Sequence, residues 1–264
     1  MDFSSVDVAT YTPVILLHGL LGSKRNFSTV AQSLAVQLEK KRRIVGLDLR
    51  NHGDNHHDWR EEMNYRNMAS DVLHWMDSHN MPSAILVGHS MGGKVAQAIA
   101  LLEPQRVEGL CVLDIAPVTY TADEPHWKAV QDIVHVLQTI ELKSGVTKRS
   151  VDEQLRVDIP DPALRAFCLT NIDFTTGRWK IHLDAIASQL ERLAGFDVDD
   201  SLQYEGDTFI IHGQQSRFVR HAYMDTIRSY FPNHMLTTIR GAGHWVHAEA
   251  PEDTTALLKR FLDR

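Results

Sequence analysis

The segment Ala84-Ile-Leu-Val-Gly-His-Ser-Met-Gly-Gly-Lys-Val-Ala-Gln-Ala-Ile-Ala100 restricts the possible folds of this chain more than any other. An apolar run breaks at Gly88-His-Ser-Met-Gly92 and resumes with helical spacing, which predicts a strand turning sharply into a helix. Such a turn holds its central residue in strained backbone and lifts one hydroxyl, that of Ser90, above the end of a sheet beside a helix N-terminus. Gly88 and Gly92 leave room for the crossing. A serine presented in this way has the setting of a nucleophile.

The alternation of strand and helix recurs along the chain. Runs rich in Val, Ile and Leu at 14–17, 44–47, 84–87, 110–113, 208–211 and, more weakly, 235–239 each read as a strand buried on both faces. Helical patterns fall around 26–40, 64–79, 91–102, 219–230 and 251–262. This order predicts an α/β fold, a mostly parallel doubly wound sheet with helices on both faces. Between 113 and 208 the rhythm stops, and helical patterns at 126–140, 162–171 and 182–193 appear without a clear strand. That stretch is expected to be an inserted helical cap, giving a core domain of 1–116 and 201–264 and a cap of 117–200. At 264 residues, 43% of them hydrophobic, the chain can bury a core of this size.

Charge and cysteine content exclude several classes. The net charge is -7 and the Lys and Arg residues are scattered, so neither nucleic acid nor an anionic membrane surface is an expected partner. The two cysteines, Cys111 in a strand-like run and Cys168 in a helix-like one, do not form a disulfide framework. The N-terminus has neither a basic start nor an apolar stretch, and no apolar run approaches a membrane span. The expectation is a soluble cytoplasmic protein with no stable membrane association.

Acyl transfer to a serine needs a base, an acid that orients the base, and donors for the developing oxyanion, but no metal or cofactor. Among fifteen histidines, His244 lies in a Gly-flanked loop, Arg240-Gly-Ala-Gly-His-Trp-Val-His-Ala-Glu-Ala-Pro251, between the last strand and the last helix. That puts it on the carboxyl edge of the sheet, with Ser90. His89, inside the turn, and His247 read as structural. Leu17-His-Gly-Leu-Leu-Gly22 follows the first strand, and its glycines let a loop fold back over the turn. The backbone N–H groups of Leu20 and Met91 are expected to converge there on one oxygen, with His18 anchoring the loop. Trp245 either lines an acyl pocket or packs its own loop.

In most proteins of this architecture the acid follows the next-to-last strand, here Phe209-Ile-Ile-His-Gly-Gln-Gln-Ser-Arg-Phe-Val219, where Ser216 occupies its place. A serine hydroxyl cannot neutralise an imidazolium, so another carboxylate is required. Asp114 ends the run at 110–113, one strand beyond the turn and at the same sheet edge, whereas Asp207 begins its strand and Asp225 lies in a helix. Ser216 is left as a second hydrogen-bond partner. In Asp48-Leu-Arg-Asn-His-Gly-Asp54, Arg50 and Asn51 either bind an acidic substrate group or, with Asp48, brace the loops. Lys94 reads as solvated or structural rather than as a substrate clamp.

Five stretches, His18-Gly-Leu-Leu-Gly-Ser23, Asp48-Leu-Arg-Asn-His-Gly53, Gly88-His-Ser-Met-Gly-Gly-Lys94, Asp114-Ile-Ala-Pro117 and Gly241-Ala-Gly-His-Trp-Val-His247, run nearly end to end. Through them the chain resembles the α/β-hydrolase superfamily, and within it the small bacterial esterases of the YbfF type and their mitochondrial abhydrolase relatives. The Arg-Asn-His-Gly and Asp-Ile-Ala-Pro segments are the most restrictive. The resemblance implies an esterase or thioesterase with a helical lid, acting on small-molecule acyl esters of short to medium chain or on acyl-CoA thioesters. It also implies Ser90 as nucleophile, His244 as base and Asp114, after the sixth strand, as displaced acid. One alternative keeps the same residues for carbon–carbon hydrolysis or a menaquinone-pathway type of elimination. Basic residues under the cap would mark it, and Arg178, Lys180 and Arg192 are the candidates, with surface solvation the simpler role for each. The other alternative is a non-catalytic receptor or scaffold of the same fold, a class that commonly lacks a triad member.

Overall fold

A computed structural model of the chain describes residues 1–4, 11–55 and 59–264. Its strands are β1 (Tyr11–Leu17), β2 (Arg42–Leu47), β3 (Ala84–His89), β4 (Val107–Leu113), the two-residue β5 (Ile172–Asp173) and β6 (Arg178–Trp179), β7 (Thr208–Gly213) and β8 (His234–Ile239). Its helices are α1 (Ser28–Gln37), α2 (Tyr65–Ser78), α3 (Met91–Leu102), α4 (Pro125–Gln138), α5 (Lys148–Leu155), α6 (Pro162–Leu169), α7 (Leu183–Ser188), α8 (Leu190–Ala194), α9 (Met224–Tyr230), α10 (Val246–Glu249) and α11 (Pro251–Leu262).

Six strands pair in the order β2-β1-β3-β4-β7-β8, all parallel to their neighbours. At the β2 edge, Asp2 adds an antiparallel bridge to Val45. A parallel sheet needs cover on both faces, which is why its strands read as unbroken apolar runs. Here α2 and α3 pack on one face, and α1 and α11 on the other. Val14, Ile15, Leu16 and Leu17 are fully buried between them, each contributing roughly 1.5–3 kcal/mol of transfer free energy. The strand β8, at one edge of the sheet, departs from the expectation of burial on both faces and is half-exposed, whereas β2 at the other edge is almost wholly buried.

The sequence spacing anticipates the long helices better than the short ones. The start of α2 is set by Asn64, whose side chain accepts from the Asn67 N–H at 2.8 Å. Between β4 and β7 the chain forms α4 to α8 and the small antiparallel pair β5–β6, which the apolar patterns did not signal. The helix α5 was likewise unmarked by apolar spacing, although Thr147 and Ser150 form a capping box at its start. The helical pattern at 182–193 is broken at Gln189 into α7 and α8.

Strand order reverses between β1 and β3, since the chain first runs outward to β2 and then returns to the other side of β1. Such a reversal opens a crevice above the carboxyl ends of the strands. Ser90 follows β3 there, and the loop that begins at His18 follows β1. Asp114 follows β4, the fourth strand among the described residues and not a sixth.

Candidate active site

Ser90 joins β3 to α3 with φ 52° and ψ −119°. This left-handed backbone is costly for a residue with a side chain, by about 1–3 kcal/mol. It is held from both sides: its N–H donates to Leu113 O at 3.0 Å, and its carbonyl accepts from the Lys94 N–H at 3.0 Å. No side chain fits around the turn. A Cβ on Gly88 would lie 2.2 Å from Gly92 O, and one on Gly92 would lie 2.3 Å from Leu17 O. Five non-glycine residues have positive φ among the described residues, and Leu21, Ser90 and Asp114 are three of them. Strain is therefore concentrated at this sheet edge.

Three side chains form a hydrogen-bonded line. Ser90 Oγ donates to His244 Nε2 at 3.0 Å, and His244 Nδ1 donates to Asp114 Oδ2 at 2.7 Å. The carboxylate only accepts, which fixes the Nδ1–H tautomer and leaves Nε2 free to accept a proton. Asp114 is fully buried. Its Oδ1 accepts from the Gly213 N–H at 2.9 Å, and its Oδ2 also accepts a short bond from Ser216 Oγ. Ser216 thus partners the aspartate and not the histidine. Behind His244, the Phe218 ring packs at 4.1 Å, and His89 Nε2 donates to the His244 carbonyl at 2.9 Å. Burial, followed by the nearby His247 and His244, draws the His89 pKa well below the usual histidine value, so it remains neutral. His247 stacks on Phe27 at 4.9 Å, and burial lowers its pKa to about 3.

The loop after β1 is clamped. Leu21, at φ 58°, donates its N–H to His52 Nε2 at 3.1 Å and accepts at its carbonyl from Asn171 Nδ2 at 2.8 Å. His52 donates Nδ1–H to Arg50 O at 2.8 Å, and burial, with His18 second, lowers its pKa to about 3, keeping Nε2 an acceptor. His18 braces the same loop by donating to Gly19 O at 2.8 Å and accepting from the Leu49 N–H at 2.9 Å. Leu20 and Met91 both line the cavity beside Ser90. The Met91 N–H opens α3 and has no intrahelical acceptor.

That cavity encloses about 320 Å³ and is walled mainly by Ile115, Trp127, Val130, Leu164, Phe167 and Leu193, with Ser90 and His244 exposed to it. Trp245 lines the cavity, its ring 6.0 Å from Phe167 of α6 and 5.5 Å from His244 in its own loop. An apolar chamber beside a serine–histidine–aspartate line can hold an acyl chain while the hydroxyl attacks its carbonyl.

Other candidates lie elsewhere. Arg50 makes a two-point ion pair with Asp71 at 2.7 and 2.8 Å, while Asn51 exchanges hydrogen bonds with the Arg60 backbone at 2.7 and 2.8 Å. Asp48 accepts from the N–H groups of Lys24 and Asp54. All three brace loops, and none lines the cavity. Arg178, Lys180 and Arg192 are exposed and outside the cavity wall. Asp207 precedes β7 on the amino edge and Asp225 lies in α9. Among the described residues, no group of three or more His, Cys, Asp or Glu is placed to hold a metal ion, and no helix is long and apolar enough to cross a membrane. Sequence reasoning missed His52, Asn171, Phe218 and the burial of Lys94. For Lys94 a signal existed, since it is the single charge in Met91–Leu102, where Gln97 is the one other polar side chain.

A parallel sheet bearing a strained serine between strand and helix, in line with a histidine and an aspartate from later loops, is the architecture of the α/β hydrolases. Residues 12–251 match the α/β hydrolase fold family, and the chain belongs to it. It is similar to the sn-1-specific diacylglycerol lipase ABHD11 of Danio rerio, with 34% identity over 253 residues covering 95% of this chain and 78% of that protein. It is also similar to esterase YbfF of Escherichia coli strain K12, with 29% identity over 252 residues, 96% of this chain and 93% of that one. Among solved structures, a marine microorganism esterase superposes with a TM-score of 0.92 at 30% identity, covering 99% of this chain and 97% of the other.

Proposed function

We propose that Ser90 is the nucleophile, His244 the general base and Asp114 the acid of an ester hydrolase that works through an acyl-enzyme. The chain is a serine ester hydrolase of the α/β-hydrolase fold, and its substrates are small-molecule esters. Ser90 Oγ attacks the acyl carbon while His244 Nε2 takes its proton, and the N–H groups of Leu20 and Met91 hold the oxyanion. The tetrahedral intermediate collapses, and His244 returns the proton to the departing alcohol. Water then attacks the acyl-enzyme, giving a proton to His244, and release of the acid restores Ser90. The observation that carries this reading is the unbroken line from Asp114 through His244 to Ser90, ending in an apolar cavity.

The apolar wall favours acyl chains of short to medium length, with thioesters as a second class. Relatives named diacylglycerol lipases add acylglycerols to the substrates worth testing. In this reading 1–116 and 201–264 are the core and 117–200 is the inserted cap. The division is supported by the cavity, whose walls combine Ser90 and His244 with Trp127 and Phe167. Cys111 and Cys168 are buried free thiols, which suits a reducing compartment, and the reading places the protein in the cytoplasm.

The test is steady-state hydrolysis of aryl esters of graded acyl length, an acyl-CoA thioester and a diacylglycerol by wild type and Ser90→Ala. Ester turnover that disappears in Ser90→Ala is expected. A folded wild-type protein inactive on all of them would overturn the reading.

A further inference from the structure

Lys94 lies four residues after Ser90 on α3 and is 1% exposed. Its Nζ donates to the carbonyls of Val118 at 2.7 Å, Ala194 at 2.9 Å and Gly195 at 2.7 Å. The rings of Tyr120 and Tyr65 flank it at 4.6 and 5.4 Å. Burial pulls the pKa of this ammonium well below the usual lysine value. Three carbonyls match the three N–H groups of its charged form, however, and both ring faces favour a cation. No N–H is left over for a substrate carboxylate.

The positions of those carbonyls give the contact its meaning. Val118 stands where the 117–200 segment leaves the sheet, and Ala194 and Gly195 stand where it comes back from α8. The two crossings are bonded to each other, the Tyr120 N–H donating to Ala194 O at 3.1 Å. Tyr65 Oη adds a bond of 2.6 Å to Leu193 O. Tyr65, Lys94, Tyr120 and Leu193 are also cavity-lining residues, so the neck of the segment is one wall of the chamber.

We infer that Lys94 is a positioning residue that locks both connections of the 117–200 segment to the helix carrying Ser90, and so fixes the wall against which longer acyl chains pack. This rests on the ester-hydrolase reading above. The segment then does not swing as a rigid lid about its two connections; admission of substrate falls to α4 through α6, beyond the neck. Removing the ammonium leaves three carbonyls facing an apolar chamber, and the crossings part to reach water.

The experiment compares wild type, Lys94→Met and the milder Tyr65→Phe, which keeps the ring beside Lys94 but drops the bond to Leu193. Aryl esters from acetate to decanoate are assayed, and amide hydrogen exchange is followed at Tyr120 and Gly195. In Lys94→Met, kcat/KM should fall about tenfold further on decanoate than on acetate, chiefly through KM, with exchange at both amides at least about tenfold faster. Tyr65→Phe should change both in the same direction by less, and it serves if Lys94→Met does not fold. A loss equal at every acyl length, or unchanged exchange in a folded variant, would overturn the inference. Wild type without ester turnover would instead defeat the hydrolase reading, while the exchange result would still decide the lock.

Discussion

Replacing Asp114 by asparagine is isosteric, and its effect follows from which donors the two carboxylate oxygens meet. Oδ1 accepts from the Gly213 N–H at 2.9 Å, a backbone donor that cannot be reversed. Oδ2 accepts from His244 Nδ1 at 2.7 Å and from Ser216 Oγ, and both of these partners can turn from donor to acceptor. Asparagine therefore keeps its oxygen toward Gly213 and points its NH₂ at His244 and Ser216; the other orientation opposes two donors, at about 1–3 kcal/mol. His244 must then accept at Nδ1 and carry its proton on Nε2, the atom that faces Ser90 at 3.0 Å. A base already protonated there cannot take the serine proton, and no carboxylate remains to stabilise the imidazolium. The expected fall in kcat is on the order of 10⁴-fold, about 5.5 kcal/mol of barrier, with little change in KM. Ser216→Ala is the control: Asp114 keeps Gly213 and His244, so kcat should drop less than about tenfold. The assay is steady-state hydrolysis of an aryl butyrate with folding checked by circular dichroism. Asp114→Asn within tenfold of wild type would refute the tautomer argument and move the acid elsewhere.

Two further outcomes concern stability. Gly92→Ala puts a Cβ 2.3 Å from Leu17 O and 2.5 Å from His18 O, both backbone atoms of the sheet and its loop; the expected loss is about 3 kcal/mol or more, read by urea unfolding, and a loss below 1 kcal/mol would contradict the crossing geometry. His52 and His247 are buried with pKa values lowered from 6.5 to about 3, so between those pH values the unfolded chain binds more protons and stability falls as pH drops. Each contributes a slope of roughly 1.4 kcal/mol per pH unit below its unfolded pKa. His247 Nδ1 has no partner among the described residues, so His247→Phe, which keeps the stack on Phe27, should flatten the decline between pH 6 and 4. An unchanged slope, measured by denaturant unfolding at several pH values, would contradict it.

What could be read from the sequence was local or topological. Gly88 and Gly92 mark the turn because only backbone fits there, and β1, β3, β4 and β7 announce themselves as apolar runs because both of their faces are covered. Chain order alone sets Ser90, Asp114 and His244 on one sheet edge, since each follows a parallel strand. What stayed hidden depends on long-range partners. The left-handed backbone of Leu21 is held by His52 and Asn171, 31 and 150 residues away. The three acceptors of Lys94 lie 24 to 101 residues on, and nothing in its own helix points to them. Ser216 looked like a weak substitute for an acid; its partner could be seen only once β4 and β7 were paired. The half-exposure of β8 was hidden for the same reason, because what covers a strand is a property of the whole chain.

The central claim is that Ser90 carries the acyl group, and covalent trapping tests it most directly. Wild type and Ser90→Ala are incubated with an organophosphonate that mimics the tetrahedral intermediate, and intact mass and peptide mapping follow. One adduct per chain on Ser90, formed in step with loss of esterase activity and absent from Ser90→Ala, is the predicted result. Esterase activity that survives stoichiometric labelling of Ser90, or an inactivating adduct at another residue, would contradict it.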